Sequence, residues 1–428
     1  MVAPMSYIPR VVDHELDVLL GGLPAVAIDG IKAVGKTRTA RARAASSVLL
    51  DSPDVLAAVS ADPTSILTRK PPLLIDEWQR VPAVWDVVRR AVDDDRSPGR
   101  FLMTGSATPQ MGATAHSGAG RITRVRMRPL ALSERNSADD AETISLSRLL
   151  AGEPVKIVGQ SRLALPDYVD EIIASGFPGL RGLSPRLLRT ELDSYLRNIV
   201  DRDIPEQGIA VRKPAVLLDW LRAYAAATGG TASYNEIRDA ATAGFADKPA
   251  RDTTATYRDA LQQLWLLDPV PAWAPIGKEF ARLGQAPTHH LADPALAARL
   301  LGLERGHLLD GGGKPLGPQA GTILGRLFES LATLSVRVLA QNAEAEVAHL
   351  RTQKGDREID LILTGPHRQT IAIEVKLNAN VVDGDVRHLL WFREKFPDVL
   401  DTVILNTGSI AYRRPDGVAV IPLALLSP

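Results

Sequence analysis

The sequence contains no cysteine. This absence excludes disulfides, thiolate zinc sites, iron–sulfur clusters and a cysteine nucleophile, so any metal ion would need oxygen or histidine ligands. The sequence also lacks an apolar run of about 18 residues, the length that a membrane-spanning helix requires. Its first residues include Asp13, Glu15 and Asp17, which interrupt the uncharged core expected of a signal peptide. We therefore expect a soluble, cytoplasmic protein with no membrane segment.

An excess of charge of one sign is absent as well, because 50 Lys and Arg residues balance 50 Asp and Glu residues. Residues 1–135 hold 18 basic and 14 acidic residues, and residues 321–428 hold 12 and 13. This balance argues against a broad electrostatic surface for nucleic acid but leaves room for a local patch. The length of 428 residues predicts two or three domains.

Residues 1–135 alternate helical stretches with short apolar runs, each of which ends in a polar residue. The runs are residues 25–29, 47–51, 73–76 and 100–104. This pattern predicts an α/β domain with a buried parallel sheet that binds ligands at the carboxyl ends of its strands. Later in the same region, Arg124, Arg126 and Arg128 alternate with apolar residues, which predicts a half-buried strand with a basic outer face.

The first apolar run leads directly into the motif G-x-x-x-x-G-K-T, and a helical stretch follows it. In this context, glycines let the loop curl so that backbone N–H groups face an anion. Lys36 would reach the terminal phosphates, and the Thr37 hydroxyl would bind Mg²⁺. We therefore predict a triphosphate site formed by Gly30, Ile31, Lys32, Ala33, Val34, Gly35, Lys36, Thr37 and Arg38.

Three further segments of this region carry groups suited to phosphate chemistry. The run at residues 73–76 ends in Asp76, a carboxylate that can hold the magnesium water shell, and Glu77 follows as a candidate general base. Ser106 ends another strand and could read the terminal phosphate. Arg121 could stabilise the charge that develops during phosphoryl transfer, or it could be an ordinary surface arginine.

Residues 136–165 are polar at first and predict a connector. The region from 166 to about 310 is mostly helical, with helices expected at 185–202, 215–227, 235–241 and 253–267, before an extended segment at 269–273. This order is the outline of a winged helix. Thr253, Thr254, Arg258 and Gln262 could face a nucleic-acid groove, but the region is net acidic, so contact with a protein is at least as probable.

A Gly- and Pro-rich loop separates this region from a last α/β domain at 321–428. Its apolar runs at 357–363 and 370–376 predict adjacent strands. Asp360, Glu374 and Lys376 fit the D…E-x-K pattern of the PD-(D/E)XK, restriction-endonuclease-like fold, in which the acids bind Mg²⁺ and the lysine helps to position water. Glu329 could add a fourth group to this possible nuclease centre. The alternative is a fold that has lost its catalytic role.

The joint order of these motifs resembles that of the prokaryotic AAA-type P-loop ATPases whose C-terminal half is a domain of unknown function. The landmarks are residues 7–10, 30–37, 75–80, 102–106, 120–134, 175–178, 195–203, 293–296, 325–329, 358–360 and 374–376. The resemblance covers nearly the whole chain and implies ATP binding with slow hydrolysis. It also implies a C-terminal nuclease-like fold. The loop reads Ile31-Lys32-Ala33-Val34 where members often have Pro-Arg-Gln-Val, a departure at positions that contribute mainly backbone.

We expect a magnesium-dependent ATPase that acts as a nucleotide-controlled switch on its attached winged-helix and nuclease-like modules. An ATP-gated nuclease of a defence or toxin-type system is one alternative. A nucleic-acid-binding regulator that uses ATP only to set its conformation is another. The partners left open are a nucleic-acid or protein target and further copies of the chain.

Overall fold

The computed structural model of the chain describes residues 7–106, 118–135, 142–211, 213–242, 251–275, 285–352 and 356–428, without the side chains of residues 251–253. We refer to residues 7–135, 165–310 and 317–428 as the N-terminal, middle and C-terminal domains. Within the described residues, no helix combines the length and the apolar composition needed to cross a membrane.

The N-terminal domain is built on five parallel strands. These are β1 (Ala25–Asp29), β2 (Ser46–Leu49), β3 (Leu73–Asp76), β4 (Phe101–Gly105) and β5 (Thr123–Arg126), in the order β2-β3-β4-β1-β5. Its helices are α1 (Val11–Gly22), α2 (Lys36–Arg41), α3 (Pro53–Ala61), α4 (Ala83–Asp94) and α5 (Leu132–Arg135). Asp29 pairs with Gly105 and Asp76 with Thr104, so the strands end at a common edge.

Alternation of side chains along β1 explains how this sheet is covered. Ala25 and Ala27 pack in a core with α3 and α4. Val26 and Ile28 point to the other face, into a second core that includes α1 and continues through the middle and C-terminal domains. One face of the sheet is thus closed by its own helices, and the other joins the domain to the rest of the chain.

The middle domain is helical. Its helices are α7 (Leu165–Ala174), α8 (Pro185–Asn198), α9 (Ile204–Glu206), α10 (Pro214–Ala226), α11 (Tyr234–Ala241), α12 (Arg251–Gln263), α13 (Pro294–Leu300) and α14 (Arg305–Leu308), with a π-helical turn at Ile199–Asp203. Helix α11 begins with a capping box, in which Ser233 accepts from the Glu236 backbone N–H at 3.2 Å. After α12, residues 267–270 form antiparallel bridges with residues 288–291.

The C-terminal domain contains a mixed sheet between two helices, α15 (Gly317–Asn342) and α16 (Asp383–Lys395). The domain contributes six strands to this sheet: β8 (Glu346–Arg351), β9 (Glu358–Thr364), β10 (Thr370–Lys376), β11 (Val399–Asn406), β12 (Ile410–Arg413) and β13 (Ala419–Pro422). A last strand, β14 (Leu426–Ser427), lies outside it. Strands β8 to β10 are antiparallel, while β10, β11 and β13 are parallel. The predicted fold class is confirmed at this level: an α/β protein with a parallel N-terminal sheet, a helical middle domain and a C-terminal sheet domain.

The connector expected at 136–165 is more ordered, in its described part, than a linker. It contains β6 (Ile144–Ser145), α6 (Leu146–Leu150) and β7 (Gly159–Gln160). Strand β6 pairs with β14, and β7 pairs with β12 at the edge of the C-terminal sheet. Two-residue strands carry no readable periodicity, so these pairings could not be predicted from the sequence. Residues 136–141 lie outside the described residues.

Candidate functional site

The phosphate-binding loop follows β1 at the common edge of the N-terminal sheet. Gly30 packs so closely on the next strand that a Cβ there would lie 2.2 Å from the Met127 carbonyl oxygen. Gly35 has a φ of 104°, in the region that favours glycine. Both glycines of the motif are therefore required by the backbone. Of the other residues predicted for this loop, Ile31 and Val34 are buried, whereas Ala33 and Arg38 are exposed.

Lys36 lies inside this loop, where it is 5% exposed. Its ammonium donates to the carbonyl oxygens of Gly30 (2.7 Å) and Ile31 (2.9 Å). Burial lowers the pKa of Lys36 to about 8, against the opposing charges of Glu77, Asp29 and Asp76. Among the described residues, the hydrogen-bond partners of this buried ammonium are neutral carbonyls, so it would gain from a phosphate anion. The loop therefore fits a triphosphate.

Two hydroxyl groups meet one carboxylate beside the loop. Thr37 Oγ1 donates to Asp76 Oδ1 at 2.8 Å, and Thr104 Oγ1 donates to the same oxygen. Asp76 and Thr104 are both buried. An arrangement of one carboxylate and hydroxyl oxygens matches the ligands that Mg²⁺ takes in phosphate sites, so Thr37 and Asp76 fit the predicted metal position. Thr104 is an additional member that the sequence indicated only as a strand-end hydroxyl.

Glu77 follows Asp76 and is held by its neighbours. Its Oε2 accepts from Ser106 Oγ at 2.9 Å and from the Gln79 side-chain amide. Glu77 has a φ of 56°, a left-handed conformation that is uncommon outside glycine and often found at functional sites. Ser106, predicted to read the terminal phosphate, thus contacts the candidate base. Gln79 was missed, since its position in the sequence carries no signal of this contact.

Arg121 lies apart from these groups. It precedes β5, whose first residue, Thr123, pairs with Val26 near the start of β1. The loop follows the other end of β1, roughly 10 Å away at about 3.3 Å per residue. Arg121 is bound instead to Asp93, with 2.8 Å between Nε and Oδ1. The structure therefore does not bring Arg121 to the phosphate loop of its own chain.

Arg10 is a second residue that sequence reasoning left without a role. It is buried, and its guanidinium donates to the carbonyl oxygens of Val34 (3.0 Å) and Arg128 (2.7 Å). It also pairs with Glu134 at 3.1 Å. Arg10 thereby ties the phosphate loop to the segment after β5. Its place in the motif at residues 7–10 was the available signal.

Strand β5 is half-buried, as expected, and Arg124 on its outer face is exposed, whereas Arg126 and Arg128 are covered by other domains. Arg124 pairs with Asp29 at 2.6 Å. Arg126 and Arg128 pair with Asp268 of the middle domain at 2.9 and 2.8 Å. Arg337 of α15 joins the same carboxylate at 2.7 Å. Alternation predicted the direction of these side chains, but it could not show that Asp268, 140 residues from Arg128, would cover Arg126 and Arg128.

The middle domain contacts the phosphate loop directly. Pro178 lies beside Gly35, where a Cβ would be 3.7 Å from its ring. The Tyr195 hydroxyl donates to the Lys32 carbonyl oxygen at 3.2 Å. The Lys32 ammonium pairs with Asp203 Oδ1 at 2.5 Å and lies 3.9 Å from a carboxylate oxygen of Glu206. The sequence suggested that this position contributes mainly backbone, but the Lys32 side chain forms ion pairs with the middle domain.

The four residues of the possible nuclease centre lie near one another in the C-terminal domain. The Asp360 carboxylate accepts from the Val375 backbone N–H at 2.7 Å, and the Lys376 ammonium is 2.5 Å from Glu374 Oε2. Burial raises the pKa of Glu374, and the charge of Asp360 raises it further. Burial and the same aspartate raise the pKa of Glu329. In the part of the chain that the structure describes, no three acidic or histidine side chains are grouped to hold a metal ion.

Of the residues of α12 predicted to face a groove, Arg258 has partners within the middle domain. Arg258 pairs with the adjacent Asp259 at 2.7 Å and lies over the Tyr234 ring. The side chain of Thr253 is outside the described residues. The role of this helix stays a prediction.

Family models divide the chain into three matched segments. Residues 23–136 match an AAA domain. Residues 165–306 match a domain of unknown function, DUF8612, and residues 324–426 match another, DUF4143. The chain therefore carries an AAA domain, followed by two segments that match domains of unknown function.

Two mycobacterial proteins are similar to most of the chain. The uncharacterized protein Rv2008c of Mycobacterium tuberculosis is 27% identical over 414 residues, which cover 90% of this chain and 82% of the relative. The uncharacterized protein Mb2031c of Mycobacterium bovis gives the same values.

Two solved structures show weak similarity to the chain. The Walker-type ATPase PABY2304 of Pyrococcus abyssi is 15% identical, with a TM-score of 0.39 over 67% of this chain and 94% of that one. The ORC2 protein of Aeropyrum pernix, in ADPNP–ADP complexes, is 16% identical, with a TM-score of 0.29 over 70% of this chain and 95% of that one.

Proposed function

We propose that the N-terminal domain binds ATP with Mg²⁺ and hydrolyses it, and that the bound nucleotide acts as a switch on the middle and C-terminal domains. The observation that carries this proposal is the meeting of Lys36, Thr37 and Asp76 at one edge of the sheet. The contacts of the middle domain with the same loop support the switch.

Each residue has a distinct role in this proposal. Lys36 supplies positive charge to the phosphates, while Thr37 and Asp76 hold Mg²⁺, which when bound offsets phosphate charge. Glu77 takes the proton of the attacking water as general base. Ser106 donates to Glu77, which fixes the orientation of that carboxylate. It is therefore a positioning residue here.

We further propose that Arg121 serves the nucleotide of a neighbouring copy, in a homo-oligomer. The support is its position at the far edge of its own sheet, 39% exposed, beside Asp93. A guanidinium supplied by another subunit is an established way to stabilise phosphoryl transfer. The specific activity of an ATPase that works in this way should rise with protein concentration, and Arg121→Ala should abolish that rise.

Two substitutions test the ATPase assignment. Lys36→Ala should abolish ATP binding, because it removes ground-state charge, whereas Glu77→Gln should retain binding and lose turnover. Lys70→Ala, at an exposed lysine of the same domain, is the matched control. ATP affinity is measured by calorimetry and turnover by phosphate release. Equal loss of affinity in Lys36→Ala and Glu77→Gln would show that Glu77 is not the base.

An ATP-gated nuclease is the second candidate, favoured by the convergence of Asp360, Glu374 and Lys376. A net acidic domain with 12 basic and 13 acidic residues weighs against a polyanionic substrate. Magnesium-dependent cleavage of a plasmid would support this candidate. A salt-dependent shift of labelled duplex without cleavage would instead favour a nucleic-acid-binding regulator.

A further inference from the structure

The side chain at the third position of the phosphate loop has an ionic partner in another domain. Lys32 is 39% exposed, whereas its partner Asp203 is 7% exposed. Asp203 is the last residue of the π-helical turn after α8, and such turns occur frequently at functional sites. The pair therefore joins a partly exposed cation on the loop to a buried carboxylate of the middle domain.

The surroundings hold this carboxylate next to the loop. Tyr195, one helical segment before Asp203, donates to the Lys32 backbone and packs against Phe177, with ring centroids 5.1 Å apart. Glu206 adds a second carboxylate 3.9 Å from the Lys32 ammonium. Two acids this close to a triphosphate site would repel the terminal phosphate unless a cation lies between them and the nucleotide.

From this geometry we propose that Lys32 is a second phosphate-binding lysine that distinguishes ATP from ADP. Its ammonium pairs with Asp203, and when ATP binds it transfers to the terminal phosphate. The transfer weakens the contact of the loop with the middle domain at Asp203. ADP lacks the terminal phosphate and leaves the pair intact. This inference rests on the proposed ATP binding and names the residue through which the middle domain would detect the nucleotide.

A four-protein comparison tests the proposal, using affinities for ADP and for a non-hydrolysable ATP analogue measured by calorimetry. Lys32→Ala should weaken binding of the analogue by at least about tenfold, the loss of one charge-assisted hydrogen bond, and ADP binding by much less. Asp203→Asn removes the charge that holds Lys32 and should not weaken binding of the analogue. The double variant should bind the analogue as poorly as Lys32→Ala does.

The double variant separates this proposal from a simpler one. If Lys32 only screens Asp203, then Asp203→Asn will restore analogue affinity to Lys32→Ala, and the proposal is wrong. Equal weakening of ADP and analogue in Lys32→Ala would also overturn it. Lys32→Arg keeps the charge and should retain the preference for the analogue, which controls for a variant that folds poorly.

The same measurements distinguish this inference from the proposed function. A wild-type protein that binds neither nucleotide would overturn both. Binding that is lost in Lys36→Ala, with an unchanged ratio of analogue to ADP affinity in Lys32→Ala, would overturn the role of Lys32 alone.

Discussion

Asp268 connects all three domains, and its removal gives a quantitative test of that connection. The Asp268 cluster consists of this carboxylate with Arg126, Arg128 and Arg337, whose nitrogens lie 2.9, 2.8 and 2.7 Å from its oxygens. Asp268 is 5% exposed. Burial alone would raise its pKa, but the three guanidinium groups lower that pKa well below the usual range. Asp268→Asn removes the charge at almost constant volume.

The expected loss follows from what remains buried. At an effective dielectric of about 20, each close ion pair is worth roughly 4 kcal/mol before desolvation is subtracted. The side chains of Arg126 and Arg337 are only 21% and 14% exposed, and this burial lowers the pKa of Arg126 to about 9 and that of Arg337 to about 10. Breaking a buried ion pair on one side typically costs about 3–5 kcal/mol. We expect Asp268→Asn to lower the free energy of unfolding by about this amount. We also expect the domains to separate at the cluster before each of them unfolds.

The assay is differential scanning calorimetry of the full chain. Asp268→Asn should lower the first unfolding temperature by several degrees and split a joint transition into separate ones, since the domains no longer share this carboxylate. Asp259→Asn is the control, because it breaks an ion pair whose aspartate is 54% exposed and should change little. An unfolding profile of Asp268→Asn that matches the control would refute the reasoning.

Two further predictions concern the phosphate loop and the possible nuclease centre. Burial lowers the pKa of Lys36 to about 8, and bound phosphate favours the charged form of this lysine. ATP affinity should therefore fall as the pH rises through about 8. Calorimetry that shows constant ATP affinity up to about pH 9 would contradict this prediction. In the C-terminal domain, Asp360→Ala should abolish any Mn²⁺ binding and cleavage, while Lys376→Ala should spare metal binding. We expect the wild-type protein to cleave no plasmid. Robust magnesium-dependent cleavage by the wild type that is lost in Asp360→Ala would show this expectation to be wrong.

Local patterns predicted the elements that carry the phosphate loop. The apolar runs at 25–29 and 73–76 coincide with β1 and β3, and the runs expected at 47–51 and 100–104 differ from β2 and β4 by one or two residues. Strands β1, β3 and β4 are buried on both faces, so hydrophobic runs mark them clearly. The parallel arrangement then explains why Lys36, Asp76 and Ser106 lie at one edge, while their chemical roles stay predictions.

Contacts between distant residues could not be predicted in the same way. Lys32 and Asp203 are separated by 171 positions, and Arg128 and Asp268 by 140. A charged residue next to an apolar one reads as solvent-facing, because nothing local indicates that another domain will cover it. The position of Arg121 was equally hidden, since it depends on the direction of β5 relative to β1.

The continuity of the core constrains how a nucleotide could act on the rest of the chain. Apolar residues of β1, α8, α15 and β10 belong to one buried cluster, so the three domains share a continuous core. Close-packed interiors change between discrete arrangements more readily than they deform gradually. A nucleotide-driven change must therefore either break polar contacts at the domain junctions or separate apolar surface. The Lys32–Asp203 pair and the Asp268 cluster are such polar contacts. Lys32 is part of the phosphate loop, and Arg126 and Arg128 flank Met127, which lies against Gly30 of that loop. The pair and the cluster are consequently the places where the free energy of nucleotide binding can alter domain contacts without opening the core.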